Sequence, residues 1–489
     1  MTPHKALHLN KPYLTVGFIF ILNFILKFLY IDARDVAIDE PFSIYHAQMQ
    51  LSEIIRIFAN ENNPPLQEFI LHFWIKLFGI SPTSVRFPSL LFSCITPVFI
   101  YFIGRDFFNA KTGITASLIY TLTTFSVYFA HEARVYSLFA LLTSISLYAF
   151  LKLTQNKESK KYFVLLFISN LLIIYAHYFG FFVLMIEGIL TLIYIRKFSM
   201  QWLMLKLYLI LFVLFLPNVV VLYNRFTYST TSGTWVQAPE MGEVYGNLNR
   251  FLNNKFVSLA FIIILLINTL YYIISKELRS RVKLLFANKY GFILFLWFAI
   301  PYLFMFIVSF KVPMFIDRYI LFNSIGFYLF LAFLLNYFIN EKYIIPCVGI
   351  VLLSLAFTLN LNPDNNREIK KAVELIKGLK TKDNLMIITP NYSDLNLLYY
   401  YDETIFKNYK NKNKLLKAQG ILATHNPIEI DSILRFSNKE IIYFQAEWDI
   451  VDPENILFNK VASKRKIVNQ TKVPQIYTIT CFSKKELTN

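Results

Sequence analysis

Residues 14–30 read LTVGFIFILNFILKFLY, and residues 38–43, a short way after them, read IDEPFS. An apolar run of this length predicts a membrane-spanning helix. Two adjacent carboxylates, Asp39 and Glu40, lie just beyond it, and acidic side chains beside a span are costly unless they face water, a partner or a substrate. We therefore predict that Asp39 and Glu40 form the chemical centre. The simpler alternative is a charged pair that marks the water boundary of a helix.

The composition is that of an integral membrane protein. The chain has 489 residues, of which 56% are hydrophobic and 16% charged, whereas globular domains carry about 25% charged residues. Its 48 Lys and Arg exceed its 31 Asp and Glu, and among repeated apolar runs this excess is typical of positive cytoplasmic loops. We therefore expect a lipid bilayer as partner and no nucleic acid. Cys94 and Cys347 fall in apolar runs, which argues against a disulfide framework or a thiolate metal site.

The apolar runs predict about eleven membrane spans. They are residues 14–30, 87–103, 114–129, 135–151, 163–175, 181–194, 207–222, 256–274, 290–310, 320–338 and 343–359. Lys and Arg concentrate in every second connection, which places the N-terminus in the cytoplasm and the tail outside a plasma (inner) membrane. Between the first two spans, residues 40–60 predict an amphipathic helix at the interface. Residues 67–79 predict a juxtamembrane helix that is too short to span.

The composition changes after the last span, which predicts two domains. Residues 1–360 form the multi-pass membrane module, and residues 361–489 form a small extracytoplasmic α/β domain. In that domain residues 385–389, 441–444 and 476–480 predict strands, and residues 367–379 predict a helix. It has no phosphate-binding glycine-rich loop, and the whole chain has only 14 glycines. A nucleotide-binding fold is therefore not expected.

On this topology the unusual polar clusters all lie on the outer side. They are Asp39-Glu40, Asn62-Asn63-Pro64-Pro65, His131 to Tyr136, His177-Tyr178 and Lys311 to Tyr319. Their convergence on one face predicts an active site at the outer membrane boundary. Singly, each has a simpler reading: the Asn-Asn-Pro-Pro run marks a helix start, His177 is an interfacial, hydrogen-bonded histidine, and Arg318-Tyr319 anchors a helix at the interface. At helical spacing Glu132 and Tyr136 share a face from which Arg134 points away.

The order of these motifs resembles a known family. The shared features are the Asp-Glu pair after the first span, Asn63-Pro64-Pro65-Leu66, Trp74 to Gly79, Val85-Arg86-Phe87-Pro88-Ser89, Gly104-Arg105, His131-Glu132-Ala133-Arg134, Tyr175-Ala176-His177-Tyr178 and Arg318-Tyr319. Together they resemble the bacterial branch of the protein O-mannosyltransferase and aminoarabinose transferase group, glycosyltransferase family 39 of the GT-C superfamily. The resemblance covers roughly residues 14–340.

The resemblance implies a GT-C-like helical fold and a transferase that takes a sugar from a polyprenyl phosphate at the outer membrane face. It implies an essential Asp in the first outer loop, which maps onto Asp39, and a second acid near Glu132. Those relatives carry an acidic-basic pair where Asn62 and Asn63 stand here, which puts any metal or phosphate contact at that point in doubt. No metal-ligand set is predicted, although a divalent metal is compatible with the sequence.

The chemistry suits the residues. A carboxylate of Asp39, Glu40 or Glu132 is able to accept the proton of an attacking hydroxyl. A departing lipid phosphate gains charge that Arg134, Lys311 or Arg318 is able to stabilise. The remaining predicted contacts with substrate are Asn63, Tyr136, His177, Tyr178 and Tyr319. Direct displacement by a hydroxyl of a protein, lipid or glycan would invert the anomeric centre.

Two other classes of protein remain open on the sequence. A transporter or lipid flippase would place polar residues along a membrane pathway, but here the charges cluster at one face and no internal repeat is found. A structural membrane protein with an outer sensor domain would not require the polar clusters of the outer loops.

Overall fold

The computed structural model describes residues 11–484, apart from residues 62, 156–158, 232–235, 365–366, 447–451, 453 and 474–475. The chain divides into two compact units. The first unit is Met1–Ile31, Ile55–Gln67 and Arg86–Pro363, and the second is Asp32–Ile54, Glu68–Val85 and Asp364–Asn489. The tail that differs in composition therefore shares its unit with two segments of the first outer connection.

Helices account for most of the described chain. In order they are α1 (Lys11–Phe28), α2 (Asp39–Ala47), α3 (Leu51–Phe58), α4 (Leu66–Phe78), α5 (Pro82–Phe107), α6 (Ala110–Thr121), α7 (Thr124–Ala130), α8 (Tyr136–Gln155), α9 (Lys160–Ala176), α10 (Gly180–Tyr194), α11 (Phe198–Thr231), α12 (Glu243–Phe251), α13 (Lys255–Ile274), α14 (Leu278–Ala287), α15 (Lys289–Val308), α16 (Asp317–Tyr337), α17 (Ile344–Thr358), α18 (Ile369–Leu379), α19 (Ser393–Tyr401), α20 (Glu403–Lys407), α21 (Lys412–Ala418), α22 (Pro427–Phe436) and α23 (Ile456–Ala462). A 3₁₀ turn at Glu341–Tyr343 precedes α17.

Each predicted span falls on helical residues, and the span predicted at residues 114–129 falls on two helices, α6 and α7. Within the described residues, seven helices are long and apolar enough to cross a membrane: α5, α8, α11, α13, α15, α16 and the run Glu341–Thr358. The pair α6 and α7 meets the same test but is bent by 62°, which gives up to eight spans. The other three predicted spans fall on α1, α9 and α10, which have 18, 17 and 15 residues. A mostly helical membrane protein is confirmed, and the total of eleven spans stays a prediction.

Helices α8 and α16 form the centre of the first unit. Their most apolar stretches are 83% and 78% buried, against 17% for α11. Phe139 on α8 contacts Phe322 on α16, with ring centroids 4.9 Å apart. Because lipid tails are as apolar as leucine, the exposed apolar faces of the outer helices are expected in a bilayer, whereas α8 and α16 are packed against protein.

A buried polar network joins α8, α9 and α10. The amide of Asn170 donates to Glu187 Oε2 at 2.6 Å. The hydroxyl of Ser146 contacts Asn170 Oδ1 at 2.7 Å and the other carboxyl oxygen of Glu187. All three side chains are buried. Polar groups within a helix bundle are costly unless they find such partners, so the network stabilises one arrangement of the three helices.

The second unit contains a five-stranded sheet. Its strands are β1 (Leu385–Thr389), β2 (Ile421–Ala423), β3 (Ile441–Ala446), β4 (Ile467–Val473) and β5 (Tyr477–Phe482), in the order β2-β1-β3-β5-β4. The first three strands in this order pair in parallel, and β5 pairs antiparallel with both β3 and β4. The small sheet predicted in the tail is confirmed, with β1, β3 and β5 at the predicted strands and α18 at the predicted helix. The division into two domains at residue 360 stays a prediction. β2 and β4 were not predicted.

The amphipathic helix predicted over residues 40–60 is divided into α2 and α3. The division has a local cause, because the side chain of Glu53 accepts a hydrogen bond of 3.1 Å from the backbone N–H of Gln50. When the side chain of an acid in the third position of a helix accepts a hydrogen bond from the N–H of the residue before the helix, it stabilises the start of that helix. Glu53 and Gln50 stand in this relation at the start of α3. The predicted juxtamembrane helix is present as α4, whose 13 residues are fewer than the about 20 that a span requires.

Candidate functional site

Asp39 and Glu40 form the first turn of α2, in the second unit. Acidic side chains are favoured there by the helix dipole. Glu40 is buried and Asp39 is half-buried. The preceding residue, Ile38, has φ 56° and ψ −108°, and a β-branched side chain rarely tolerates a positive φ. The acidic pair therefore directly follows a strained backbone position.

Glu68 is a third carboxylate beside α2, and it was not among the predicted site residues. It lies in the first turn of α4, is buried, and accepts a hydrogen bond of 2.7 Å from Ser43 Oγ. Ser43 lies one helical turn after Asp39 on the same face of α2. The signal in the sequence was an acid inside the apolar run of residues 67–79. We add Glu68 to the candidate residues of the second unit.

The histidine of α2 is neutral. Nδ1 of His46 lies 2.8 Å from the carbonyl oxygen of Phe42. Burial lowers the pKa of His46 to about 4, and the charge of Lys412 acts in the same direction, although the bond to Phe42 opposes it. At pH 7 the ring is therefore uncharged, and its Nδ1–H donates to the carbonyl of Phe42. His46 carries no charge that would compete with a proton transfer on the same helix.

In the first unit, Glu132 and Arg134 lie in the turn between α7 and α8. Residues 131–135 are not helical, so the helical spacing assumed for Glu132 and Tyr136 is wrong. Only Tyr136 is helical, as the first residue of α8. Both Glu132 and Arg134 are half-buried. The charge of Arg134 lowers the pKa of His177.

His177 is the centre of an aromatic cluster formed by α8, α16 and the turn between α9 and α10. Its ring stacks on Phe139 with centroids 5.3 Å apart. The other three rings around it belong to Tyr136, Phe179 and Tyr319, at 6.4, 4.8 and 5.5 Å. Tyr136 and Tyr319 also contact each other, at 6.5 Å. The structure therefore brings three predicted substrate contacts together.

The protonation of His177 follows from its surroundings. Burial lowers the pKa of His177 to about 3, and the charge of Arg134 acts in the same direction. Its Nδ1 accepts a hydrogen bond of 3.1 Å from the N–H of Phe179, which assigns the proton to Nε2. Among the described residues, Nε2 has no hydrogen-bond partner. His177 therefore presents a neutral N–H donor within the cluster.

The other predicted site residues of the first unit differ in exposure. Arg318 is half-buried, with its guanidinium 5.8 Å from the ring centroid of Tyr319, whereas Lys311 is exposed in the turn after α15. Burial raises the pKa of Tyr178 to about 12, against the opposing charge of Arg225, so its hydroxyl stays neutral.

One predicted contact precedes α4. Asn63 is half-buried there. Its neighbour Asn62 lies outside the described residues. The assignment of Asn63 as a substrate-binding residue stays a prediction.

No metal centre emerges from the part of the chain that the structure describes. There, no group of three or more His, Cys, Asp or Glu side chains is placed to hold a metal ion. The carboxylates of α2 and α4 and the arginines of the first unit are instead suited to proton transfer and to anion binding.

The helical bundle with an α/β tail is shared with solved structures. It matches the crystal structure of ArnT from Cupriavidus metallidurans bound to undecaprenyl phosphate, with a TM-score of 0.60, 10% identity and coverage of 95% of this chain and 97% of that chain. The apo state of the same protein gives a TM-score of 0.59 at the same identity and coverage. The apo oligosaccharyltransferase of Archaeoglobus fulgidus gives 0.50, with 8% identity over 98% of this chain and 75% of that chain.

The sequence comparison agrees with the fold. Residues 62–221 match the family described as dolichyl-phosphate-mannose-protein mannosyltransferase. No curated protein sequence matches the chain. The resemblance inferred from the order of the motifs is therefore confirmed, and the similarity of fold extends over 95% of the chain.

Proposed function

We propose that this protein is a membrane glycosyltransferase that transfers a sugar from a polyprenyl-phosphate-linked donor to a hydroxyl-bearing acceptor outside the membrane. The observation that carries the proposal is the fold, which follows nearly the whole of a transferase bound to undecaprenyl phosphate. The sequence match at residues 62–221 to a family named for a dolichyl-phosphate sugar supports it independently. A lipid-linked donor also explains a membrane-embedded chain that has no glycine-rich nucleotide loop.

Asp39 acts as the base. The acceptor oxygen attacks the anomeric carbon, the bond from that carbon to the phosphate oxygen breaks, and the bonding electrons leave with the lipid phosphate. The proton of the acceptor hydroxyl passes to the carboxylate of Asp39. Attack opposite to the leaving group inverts the anomeric centre. Glu40 on the same turn is a further carboxylate of the reaction, and the resemblance implies the same role for Glu132.

The basic residues bind the donor phosphate. Arg134 and Arg318 are half-buried, and an arginine in a partly dry site binds a phosphate with parallel hydrogen bonds. The exposed Lys311 attracts the anion at longer range. The neutral N–H of His177 and the hydroxyls of Tyr136 and Tyr319 are uncharged donors suited to sugar or phosphate oxygens.

The remaining polar contacts and the topology complete the proposal. Tyr178 and Asn63 also contact the substrate. The N-terminus is cytoplasmic, and the tail after residue 360 lies outside the plasma (inner) membrane. The acceptor is a protein hydroxyl, a lipid or a glycan.

The test is release of the lipid phosphate. Purified protein in membrane vesicles is given a labelled polyprenyl-phosphate sugar and an acceptor extract, and free polyprenyl phosphate is measured. Asp39→Asn should fold normally and lose about 10²–10⁴-fold in rate, the usual contribution of a general base. Asp32→Asn is the matched control, since Asp32 is an exposed acid of the same connection.

Two outcomes would contradict the proposal. Near-normal turnover by Asp39→Asn would remove Asp39 from the reaction. Movement of labelled lipid across the vesicle membrane without release of polyprenyl phosphate would favour a transporter or flippase instead.

A further inference from the structure

The chain just before the acidic pair is held by α18 and α19. The backbone N–H of Lys370 donates to Asp35 Oδ2 at 2.9 Å, and Lys370 Nζ lies 3.3 Å from Asp35 Oδ1. The N–H of Val36 donates to the hydroxyl of Tyr400 at 2.8 Å. Lys370 also lies over the ring of Tyr400, 5.2 Å from its centroid. We call these four residues the first staple. It fixes the chain three residues before Asp39.

A second group of contacts holds the other end of α2. The hydroxyl of Tyr45 donates to the carbonyl oxygen of Tyr409 at 3.3 Å, and its ring packs against Phe406 with centroids 5.6 Å apart. Lys412 Nζ lies over the same ring, 5.3 Å from its centroid, and forms an ion pair of 2.5 Å with Asp394. The carboxyl of Asp394 is only 3% exposed. We call these five residues the second staple.

The ion pair of the second staple is costly to assemble. Burial raises the pKa of the Asp394 carboxyl, and the charge and hydrogen bond of Lys412 oppose that shift. A buried carboxylate without its lysine would be strongly destabilised. The tail therefore places a charged pair at the ring of Tyr45, and α2 packs against that pair.

Between the two staples lies the strained residue. Ile38 has φ 56°, and such a conformation persists only where the surrounding structure over-determines it. The first staple ends two residues before Ile38, and Tyr45 follows it by seven residues. The two fixed ends leave the chain little freedom to relax. The strained turn that aims Asp39 and Glu40 is thus imposed from outside the turn.

We propose that the C-terminal tail acts as a positioning template for the catalytic carboxylate, through the two staples. The inference rests on the proposed function, in which Asp39 is the base. None of the staple residues needs to touch the substrate, so they are positioning residues. A displacement of about 1 Å at a reacting group costs about 10²-fold in rate. Loosening the staples should therefore lower kcat while the KM for the lipid donor stays nearly unchanged.

The experiment weakens the second staple without leaving an unpaired charge. In the double variant Asp394→Asn and Lys412→Gln, kcat should fall by about 10- to 100-fold, and the donor KM should change by less than about twofold. Lys412→Arg, which keeps the ion pair, should retain most of the activity. If the double variant fails to fold, the milder variants Tyr45→Phe and Tyr400→Phe are combined instead. Each removes one hydroxyl, and together they should lower kcat.

A more exposed ion pair of the same unit serves as control. Asp431 and Lys460 form a pair of 2.6 Å between α22 and α23 in the same unit. The variant Asp431→Asn with Lys460→Gln should keep wild-type kcat. Three results would overturn the template role. The first is an equal loss of kcat in the two double variants, and the second is a donor KM that rises as much as kcat falls. The third is wild-type kcat both in the Asp394 and Lys412 variant and in the milder pair. Full activity in Asp39→Asn would instead refute the proposed function, so the two failures are distinguishable.

Discussion

Gly104→Ala tests why the Gly104-Arg105 motif is present. A Cβ added at Gly104 on α5 would lie 2.6 Å from the backbone nitrogen of Gly113 on α6, and one added at Gly113 would lie 2.6 Å from the carbonyl oxygen of Tyr101. Ordinary contacts of a Cβ begin at 3.4 Å. The two helices would have to separate by about 1 Å, and both obstacles are backbone atoms that cannot rotate away. The motif is explained by close packing of two helices.

The size of the effect follows from two opposing contributions. Overpacking of this kind costs about 1–3 kcal/mol, occasionally more, whereas alanine in place of a helical glycine gains about 0.5–1 kcal/mol where there is room. Gly188→Ala on α10 is the matched control, because no atom lies within 4 Å of its added Cβ. It should be neutral or slightly stabilising. Both variants gain the helical preference of alanine, so Gly104→Ala should be less stable than Gly188→Ala by the overpacking cost, about 1–3 kcal/mol.

The measurement is unfolding of the purified protein in detergent, followed by tryptophan fluorescence and by elution as a single species after heating. Gly113→Ala should behave as Gly104→Ala does. If Gly104→Ala unfolds at the same temperature as Gly188→Ala, the close crossing of α5 and α6 does not stabilise the protein. The motif would then need another explanation.

Two further predictions concern the arginine of α16 and the histidine of α2. Arg318→Lys should raise the KM for the lipid donor about tenfold, because lysine cannot form two parallel hydrogen bonds to a phosphate. The measurement is steady-state kinetics with donor and acceptor varied separately. An unchanged donor KM would mean that Arg318 only anchors its helix. The pKa of His46 is lowered from the ordinary 6.5 to about 4 by folding. Between these two pH values the unfolded chain therefore binds more protons than the folded chain. The contribution of neutral His46 to the free energy of unfolding is thus present above pH 6.5 and is lost as the pH falls. Between pH 7 and pH 5 the wild type should lose about 2 kcal/mol more than His46→Gln in denaturant titrations, and equal losses would contradict the assigned burial.

The sequence by itself was enough for the elements that depend on local pattern. Backbone polar groups in a bilayer must be satisfied within the segment, so the predicted spans fall on helical residues, although one of them is broken into α6 and α7. In the tail, β1 was predicted at its observed bounds because Leu385 to Thr389 is a short apolar run. β4 was missed because its residues Ile467–Val473 are mostly polar and exposed. β2 was missed because three residues carry no periodicity.

The candidate residues were identified from their types and their order, but their neighbours were not. Arg134 was placed on the wrong face because a helix was assumed where the chain turns. Glu68 was not among the predicted site residues because the sequence around an acid in an apolar run does not show which residue it contacts. Only the folded chain shows that Ser43 binds it, and that His177 lies among the rings of Tyr136 and Tyr319.

The tertiary structure alone decided what holds the acidic pair. Val36 and Tyr400 are 364 positions apart, as are Tyr45 and Tyr409, and Asp35 and Lys370 are 335 apart. A single sequence carries hydrophobic period and turn chemistry over a few residues, and neither extends over such a separation. The sequence thus determined that two carboxylates follow the first span. The long-range packing of the tail determined the strained turn in which they are presented.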